Sequence, residues 1–227
     1  MTITRIGMVT IGQSPRKDVV PEIRQIVGND VDIVERGALD GLSKDEIKSL
    51  APTSDDHVLV TVVRNGEPVI VGESRILPRL KDCVHELTNQ CDLIALLCTE
   101  RFQQLTSRRI MLVPDVLVKG LVDGILGVGT LGVLTPSIDQ KDQAFEKWRS
   151  PGRKVVVESA SPYSEKDEIT ASAKKLTAFH PDLVVLDCIG YRFKARRKVE
   201  NITGKPTILP RSIIAHTILE LTGAREK

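Results

Sequence analysis

Apolar positions along this chain follow two rhythms. Short unbroken apolar runs, bounded by turn residues, alternate with stretches in which apolar residues recur every three or four positions. The first pattern predicts buried parallel strands and the second amphipathic helices. Strands are expected at 3–11, 31–35, 57–64, 68–72, in the run ending at Cys98, and at 109–113. Further strands are expected at 131–135, 154–158, in the run ending at Cys188, and at 206–209. Helices are expected from the Gly12–Pro15 turn to about Ile26, then at 44–50, 76–89 and 115–126. They continue from Ser137 through Trp148 and at 165–179, 193–201 and 211–222. Ser43–Glu46 and Ser137–Gln140 have the spacing of a capping box. Asn65-Gly66, between two strand-like runs, marks a hairpin.

Strand–helix alternation of this kind defines an α/β fold built on parallel sheets. The two halves of the chain also resemble each other. Gly7-Met8-Val9-Thr10 matches Gly132-Val133-Leu134-Thr135, and Val113-Pro114 matches Leu209-Pro210, each pair of residues leading into an apolar helix. Asp92-Leu-Ile-Ala-Leu-Leu-Cys98 matches Asp182-Leu-Val-Val-Leu-Asp-Cys188. An internal duplication accounts for this: two similar lobes related by a pseudo-twofold axis, with a β-hairpin insertion at about 57–72 in the first. The reading divides the chain into 1–126 and 127–227, with the last strand and helix, about 205–227, free to pack back on the first lobe. Gly127-Val-Gly-Thr-Leu-Gly132 has the letters of a dinucleotide fingerprint but follows a helix and opens a strand. A pyrophosphate site needs the reverse order, so the run reads as a link between lobes.

Composition narrows the function. The 227 residues carry a formal net charge of +2 and 41% hydrophobic residues, which excludes a disordered chain and gives no footprint for a polyanion. The basic cluster Arg192–Lys198 reads as the solvated face of a helix, since aromatic residues are 3% of the chain and no nucleic-acid module is visible. No window has the roughly 20 apolar residues of a membrane span, and the start lacks a signal-peptide pattern. Four cysteines without a CxxC pair then read as free thiols in a cytoplasmic protein. No nucleic acid, membrane or cofactor is expected.

The chemistry is expected at the cysteines. In open parallel sheets, ligands bind beyond the carboxyl ends of the strands, where Cys98 and Cys188 both fall. A thiolate on one side of a carbon acid and a thiol on the other can invert a stereocentre without a metal or organic cofactor. The enolate-like charge that develops needs preorganised donors. Candidate substrate-binding residues are Gly12, Gln13, Ser14 and Arg16 after the first strand, and Thr135, Pro136 and Ser137 after its counterpart. Thr99, Gly190 and Tyr191 follow the cysteines. Ser14 and Ser137 serve equally as helix caps, and Arg16 as either a bidentate carboxylate clamp or a solvated side chain. Cys83 and Cys91 read as inert. His57, His85, His180 and His216 fall in no catalytic pattern, and no ligand pair has zinc-site spacing.

A set of motifs, Ile11-Gly-Gln-Ser-Pro-Arg16, Gly37-Ala-Leu-Asp-Gly-Leu-Ser43, Leu96-Leu-Cys-Thr99, Lys147-Trp148, Ser161-Pro-Tyr163 and Leu186-Asp-Cys-Ile-Gly-Tyr191, resembles the AroM family over essentially the whole length. That family is named for a genetic link to aromatic biosynthesis rather than for a reaction. More distantly, the layout is similar to the aspartate/glutamate racemase superfamily. This implies two α/β lobes, a cleft, and one cysteine from each lobe, and Tyr163 of the AroM-like Ser161-Pro162-Tyr163 motif joins the candidate binding residues. No Asn follows Cys98, and Ile189-Gly190-Tyr191 stands where the superfamily has Thr, which argues against a plain glutamate or aspartate racemase.

The expectation is therefore a cofactor-independent isomerase or racemase using Cys98 and Cys188 as acid and base on a small carboxylate, with a homodimer as the base-rate assembly. Its rivals are a decarboxylase or lyase using one cysteine, and a non-catalytic metabolite-binding protein.

Overall fold

The computed structural model describes residues 4–223. Its elements follow the predicted order: β1 (Arg5–Thr10), α1 (Val20–Val27), β2 (Asp32–Gly37), α2 (Lys44–Ser49), β3 (Val58–Val62), β4 (Pro68–Gly72), α3 (Glu73–Gln90), β5 (Leu93–Leu97), β6 (Ile110–Leu112) and α4 (Pro114–Ile125). There follow β7 (Gly129–Thr135), α5 (Lys141–Trp148) after a 3-10 turn at Ile138–Gln140, β8 (Arg153–Ser159), α6 (Glu168–Thr177), β9 (Leu183–Leu186), α7 (Phe193–Thr203), β10 (Thr207–Ile208) and α8 (Pro210–Thr222). No helix among the described residues is long and apolar enough to cross a membrane.

Two parallel four-stranded sheets carry the fold. One has the order β2-β1-β5-β6 and the other β8-β7-β9-β10. The orders correspond strand for strand, so the resemblance between the two halves of the sequence is a resemblance of topology. The antiparallel pair β3–β4 forms a small sheet of its own. Its turn closes through Val63 N–H to the Glu67 carbonyl at 3.0 Å, a three-residue loop around Asn65-Gly66.

The chain forms two compact units. One runs to Asp115 and resumes at Arg211, while the other is Val116–Pro210. α4 thus lies in the second unit, although it follows the last strand of the first sheet. Likewise α8 lies in the first unit, although it follows the last strand of the second. The chain crosses between units at Asp115–Val116 and Pro210–Arg211; the sequence reading set the boundary at 126/127 and left the last strand and helix, about 205–227, free to return to the first lobe. The glycine run 127–132 lies inside the second unit, leading from α4 into β7.

Each unit has its own apolar core. In the first, α3 presents Ile76, Leu80, Val84 and Leu87, spaced at helical period, with Ile94 and Leu96 of β5 in the same cluster. In the second, Ala173 and Leu176 of α6 and Val199 of α7 cluster with Val184 and Leu186 of β9 and with Leu134 of β7. Burying a Leu or Ile in such a core contributes about 1.5–3 kcal/mol. The basic face of α7 carries ion pairs: Lys198 holds Asp167, the N-cap of α6, at 2.8 Å, and Arg196 reaches Glu200 at 3.2 Å.

Candidate functional site

The two cysteines occupy equivalent places. β1 and β5 pair with Thr10 opposite Leu97, while β7 and β9 pair with Leu134 opposite Leu186. With Thr10 laid on Thr135, Cys98 and Cys188 fall on the same row, one residue beyond each β1-type strand. Both are 6% exposed, and each belongs to the apolar cluster of its own unit. The local geometry matches as well. The backbone N–H of Glu100 lies 3.5 Å from Cys98 Sγ, and that of Gly190 lies 3.4 Å from Cys188 Sγ. An N–H aimed at sulfur favours negative charge there. Both contacts arise because the chain turns immediately after the strand and brings the second amide back over the thiol.

In the first unit, the loop after β1 is tied to the loop after β2. Ser14 donates from its N–H to Asp40 Oδ1 at 2.8 Å and from its hydroxyl to Oδ2 at 2.5 Å, and Gly37 N–H donates to the same Oδ2 at 2.8 Å. Gly37 has to be glycine, because a Cβ there would fall onto the Gly12 carbonyl and the Ser14 amide. The Gln13 amide donates to the Leu39 carbonyl at 3.2 Å and accepts from the Arg64 N–H at 2.8 Å, which also fastens the hairpin. Thr99, directly after Cys98, is buried.

Arg16 is neither solvated nor exposed. It is 2% exposed and forks onto Asp18 through Nε and Nη2 at 2.8 and 2.7 Å, while Nη1 donates to Thr10 Oγ1 at 2.7 Å. Burial is the largest influence on Asp18 and raises its pKa, but the hydrogen bonds and charge of Arg16 outweigh it and the net shift is downward. Glu35, which accepts the Arg16 N–H at 2.6 Å, is shifted up, chiefly by burial. Arg211, fully buried in α8, donates to Glu22 at 2.9 Å and to the Asp18 carbonyl at 2.8 Å. Burial and the nearby Asp40 push the Cys83 thiol up to about 11, and burial likewise raises Cys91.

In the second unit, Thr135 and Pro136 are buried at the end of β7, and Ser137 caps the following turn by accepting the Asp139 N–H at 3.3 Å. Tyr163 is half-buried, with its phenol against Gly190. A Cβ at Gly190 would overlap that hydroxyl, so glycine is what lets the ring approach. Tyr191 is fully buried and donates to the Ala160 carbonyl at 2.5 Å; burial, then the neighbouring Cys188 and Asp187, raises its pKa well above the usual phenol value. Pattern reading missed the environment of Asp187. Its carboxylate accepts from Lys147 Nζ at 2.8 Å and from Trp148 Nε1 at 2.6 Å, with both ion-pair side chains at 10% exposure or less. The adjacency of Lys147 and Trp148 to each other was visible in the sequence; that both aim at the residue before Cys188 was not.

A family model for AroM protein matches the chain over residues 6–222. The chain belongs to the AroM family. No curated protein sequence matches this AroM family member. Among solved structures, its fold is similar to a Nocardia farcinica maleate cis-trans isomerase variant carrying a covalent succinylcysteine intermediate, at 14% identity and a TM-score of 0.61, covering 97% of this chain and 93% of the other. It is also similar to unliganded arylmalonate decarboxylase, at 13% identity and a TM-score of 0.59, covering 97% and 93%. A third likeness is to Picrophilus torridus aspartate racemase, at 14% identity and a TM-score of 0.56, covering 97% and 94%. The AroM chain therefore has the racemase-like α/β fold shared by isomerases, racemases and a decarboxylase. Among its described residues no group of three His, Cys, Asp or Glu is placed to hold a metal ion.

Proposed function

We propose that this AroM protein is an isomerase or racemase that acts on a small carboxylate, with Cys98 and Cys188 as its acid–base pair. The observation that carries the reading is the matched placement of the thiols: same register row, same strand end, and an amide from two residues ahead on each sulfur. In the reaction, one cysteine as thiolate removes the proton α to the carboxylate and becomes a thiol. The other, as thiol, gives its proton to the opposite face and becomes the thiolate. The proton count is unchanged, and the reverse turnover restores the starting state. Tyr163, with its phenol beside Gly190, and Thr99 are proposed to hold the carboxylate. The ties of Gln13, Ser14 and Arg16 within the first unit support a role in shaping the loop that the substrate meets. A soluble protein in the cytoplasm and a homodimer belong to this proposal.

Deuterium exchange tests it. In deuterated solvent the wild-type protein should racemise a substrate drawn from amino acids, hydantoins and hydroxy acids with uptake of label at the α-position, and both Cys98→Ala and Cys188→Ala should abolish racemisation. Activity that survives one of these substitutions would replace the proposal with a one-thiol decarboxylase or lyase. The solved fold-mates give that second reading a footing, since they include a decarboxylase and an isomerase with a covalent cysteine adduct. If exchange fails throughout, and a carboxylate still raises the melting temperature in both variants, the protein is a metabolite-binding module.

A further inference from the structure

The hairpin that interrupts the first unit shelters a cavity of about 320 Å³, which lies at the small end of the range for ligand sites. Its apolar wall is made by Leu42, Ile47, Val63 and Val69, all partly or wholly withdrawn from water. Its polar wall carries three cations, Lys44, Lys48 and Arg64, against one carboxylate, Glu67. Every lining residue but one comes from the segment between β2 and the end of β4. In the second unit the connection from β8 to α6 holds no helix or hairpin, so the segment that forms this cavity has no counterpart there, unlike the paired strand-end cysteines. The exception is Gln13, which lines the cavity and also ties the β1 loop to the hairpin through Arg64 N–H at 2.8 Å and to the loop after β2 through Leu39 O at 3.2 Å.

We propose that this cavity binds a small amphipathic carboxylate, its hydrocarbon body against Ile47 and Val69 and its charge among Lys44, Lys48 and Arg64, and that its occupancy stiffens the β1 loop through Gln13. An apolar wall facing a net-cationic rim selects for this chemistry: the hydrocarbon gains by leaving water, and a carboxylate gains charge-assisted hydrogen bonds that an alcohol does not. The coupling follows from Gln13 being at once a wall of the cavity and the tie between the hairpin and the Gly12–Ser14 loop. A ligand that orders Arg64 and Asn65 therefore also holds that loop.

The test uses the full-length protein and 2-naphthoate as probe, with 2-naphthalenemethanol as the uncharged control. Fluorescence titration should show saturable naphthoate binding and much weaker binding of the alcohol. Lys44→Glu with Lys48→Glu, both on an exposed helix face, should weaken naphthoate at least about tenfold. Val69→Trp should remove binding by filling the cavity, whereas Cys98→Ala with Cys188→Ala should leave it intact, which separates this site from the cysteine chemistry. Amide hydrogen exchange at Gly12–Ser14 should slow when naphthoate binds. Equal affinity for acid and alcohol, or affinity unchanged in both the charge-reversal and filling variants, would overturn the site. Binding lost only in the cysteine variant would move the ligand to the other site, and binding without slowed exchange would overturn the coupling.

Discussion

Cys98 and Cys188 end matching strands, yet the residue before each differs: Leu97 in the first unit and Asp187 in the second. Leu97 is a fully buried apolar side chain on β5. Asp187 is a buried carboxylate held by a lysine and an indole N–H from the end of α5. Further on the difference persists, with Glu100 two residues after the first cysteine and Gly190, covered by Tyr163, two residues after the second. The two units share backbone geometry at these strand ends while their electrostatics differ. Strand register and the turn that lays an amide on sulfur depend on the backbone, which tolerates substitution. The charge near each thiol depends on single side chains, which do not need to match.

The largest effect should come from isolating the Asp187 charge. Lys147→Met leaves a buried carboxylate without its cation and should cost about 3–5 kcal/mol in chemical denaturation. The mirror change Leu97→Asp, which puts a carboxylate at a fully buried apolar position, should cost a comparable amount. Adding Asp187→Leu to Lys147→Met should recover much of the loss, leaving about 1–3 kcal/mol for a Trp148 N–H without its acceptor. If the double variant were no more stable than Lys147→Met alone, the view of Lys147 and Asp187 as one coupled pair would fail.

A smaller effect is expected after the cysteines. Gly190→Ala should destabilise by about 1–3 kcal/mol by forcing the Tyr163 ring away, and removing that ring as well with Tyr163→Ala should relieve the strain. Glu100→Ala at the matching place adds no side chain to a filled space and should cost less than half as much. Thermal melts of the three variants would compare the two turns directly.

The smallest effect concerns pH and lies within the first unit. Asp18 has a lowered pKa, so the stability it contributes is present above the usual carboxylate pKa of about 3.9 and is lost as pH falls through its lower folded value. Glu35, on the backbone amide of the same Arg16, is raised, so its contribution has the opposite sign: protonating it as pH falls through its raised folded value favours the fold. Asp18→Asn should flatten the acid limb of the stability curve, and Glu35→Gln should steepen it. Identical curves for the two variants would show that Arg16 does not set the two carboxylates apart.

Most of the fold was legible in the chain because each element carries a local signal. Apolar runs gave the strands, the Ser43 box starts α2 as expected, and Asn65-Gly66 sits in the hairpin turn. The repeated run ending in cysteine gave the correspondence between β5 and β9. α1 begins at Val20 rather than directly after Pro15, because Arg16 and Asp18 are taken up by their mutual fork and the chain turns around it before coiling. That fork was not legible, nor was the tie of Ser14 to Asp40, since partners 26 residues apart leave no periodic trace.

By itself, then, the sequence determined which segments are strands and helices, that they repeat, and that a cysteine closes the corresponding strand of each half. These depend on periodicity and on neighbours along the chain. Only the tertiary structure decided which polar groups answer one another: Asp18 for Arg16, Asp40 for Ser14, and Lys147 and Trp148 for Asp187. It also decided that α4 and α8 each complete the unit begun by the other half. Buried charges find partners by proximity in space, because leaving one unpaired away from water costs several kcal/mol, on the order of a large part of a domain's whole stability.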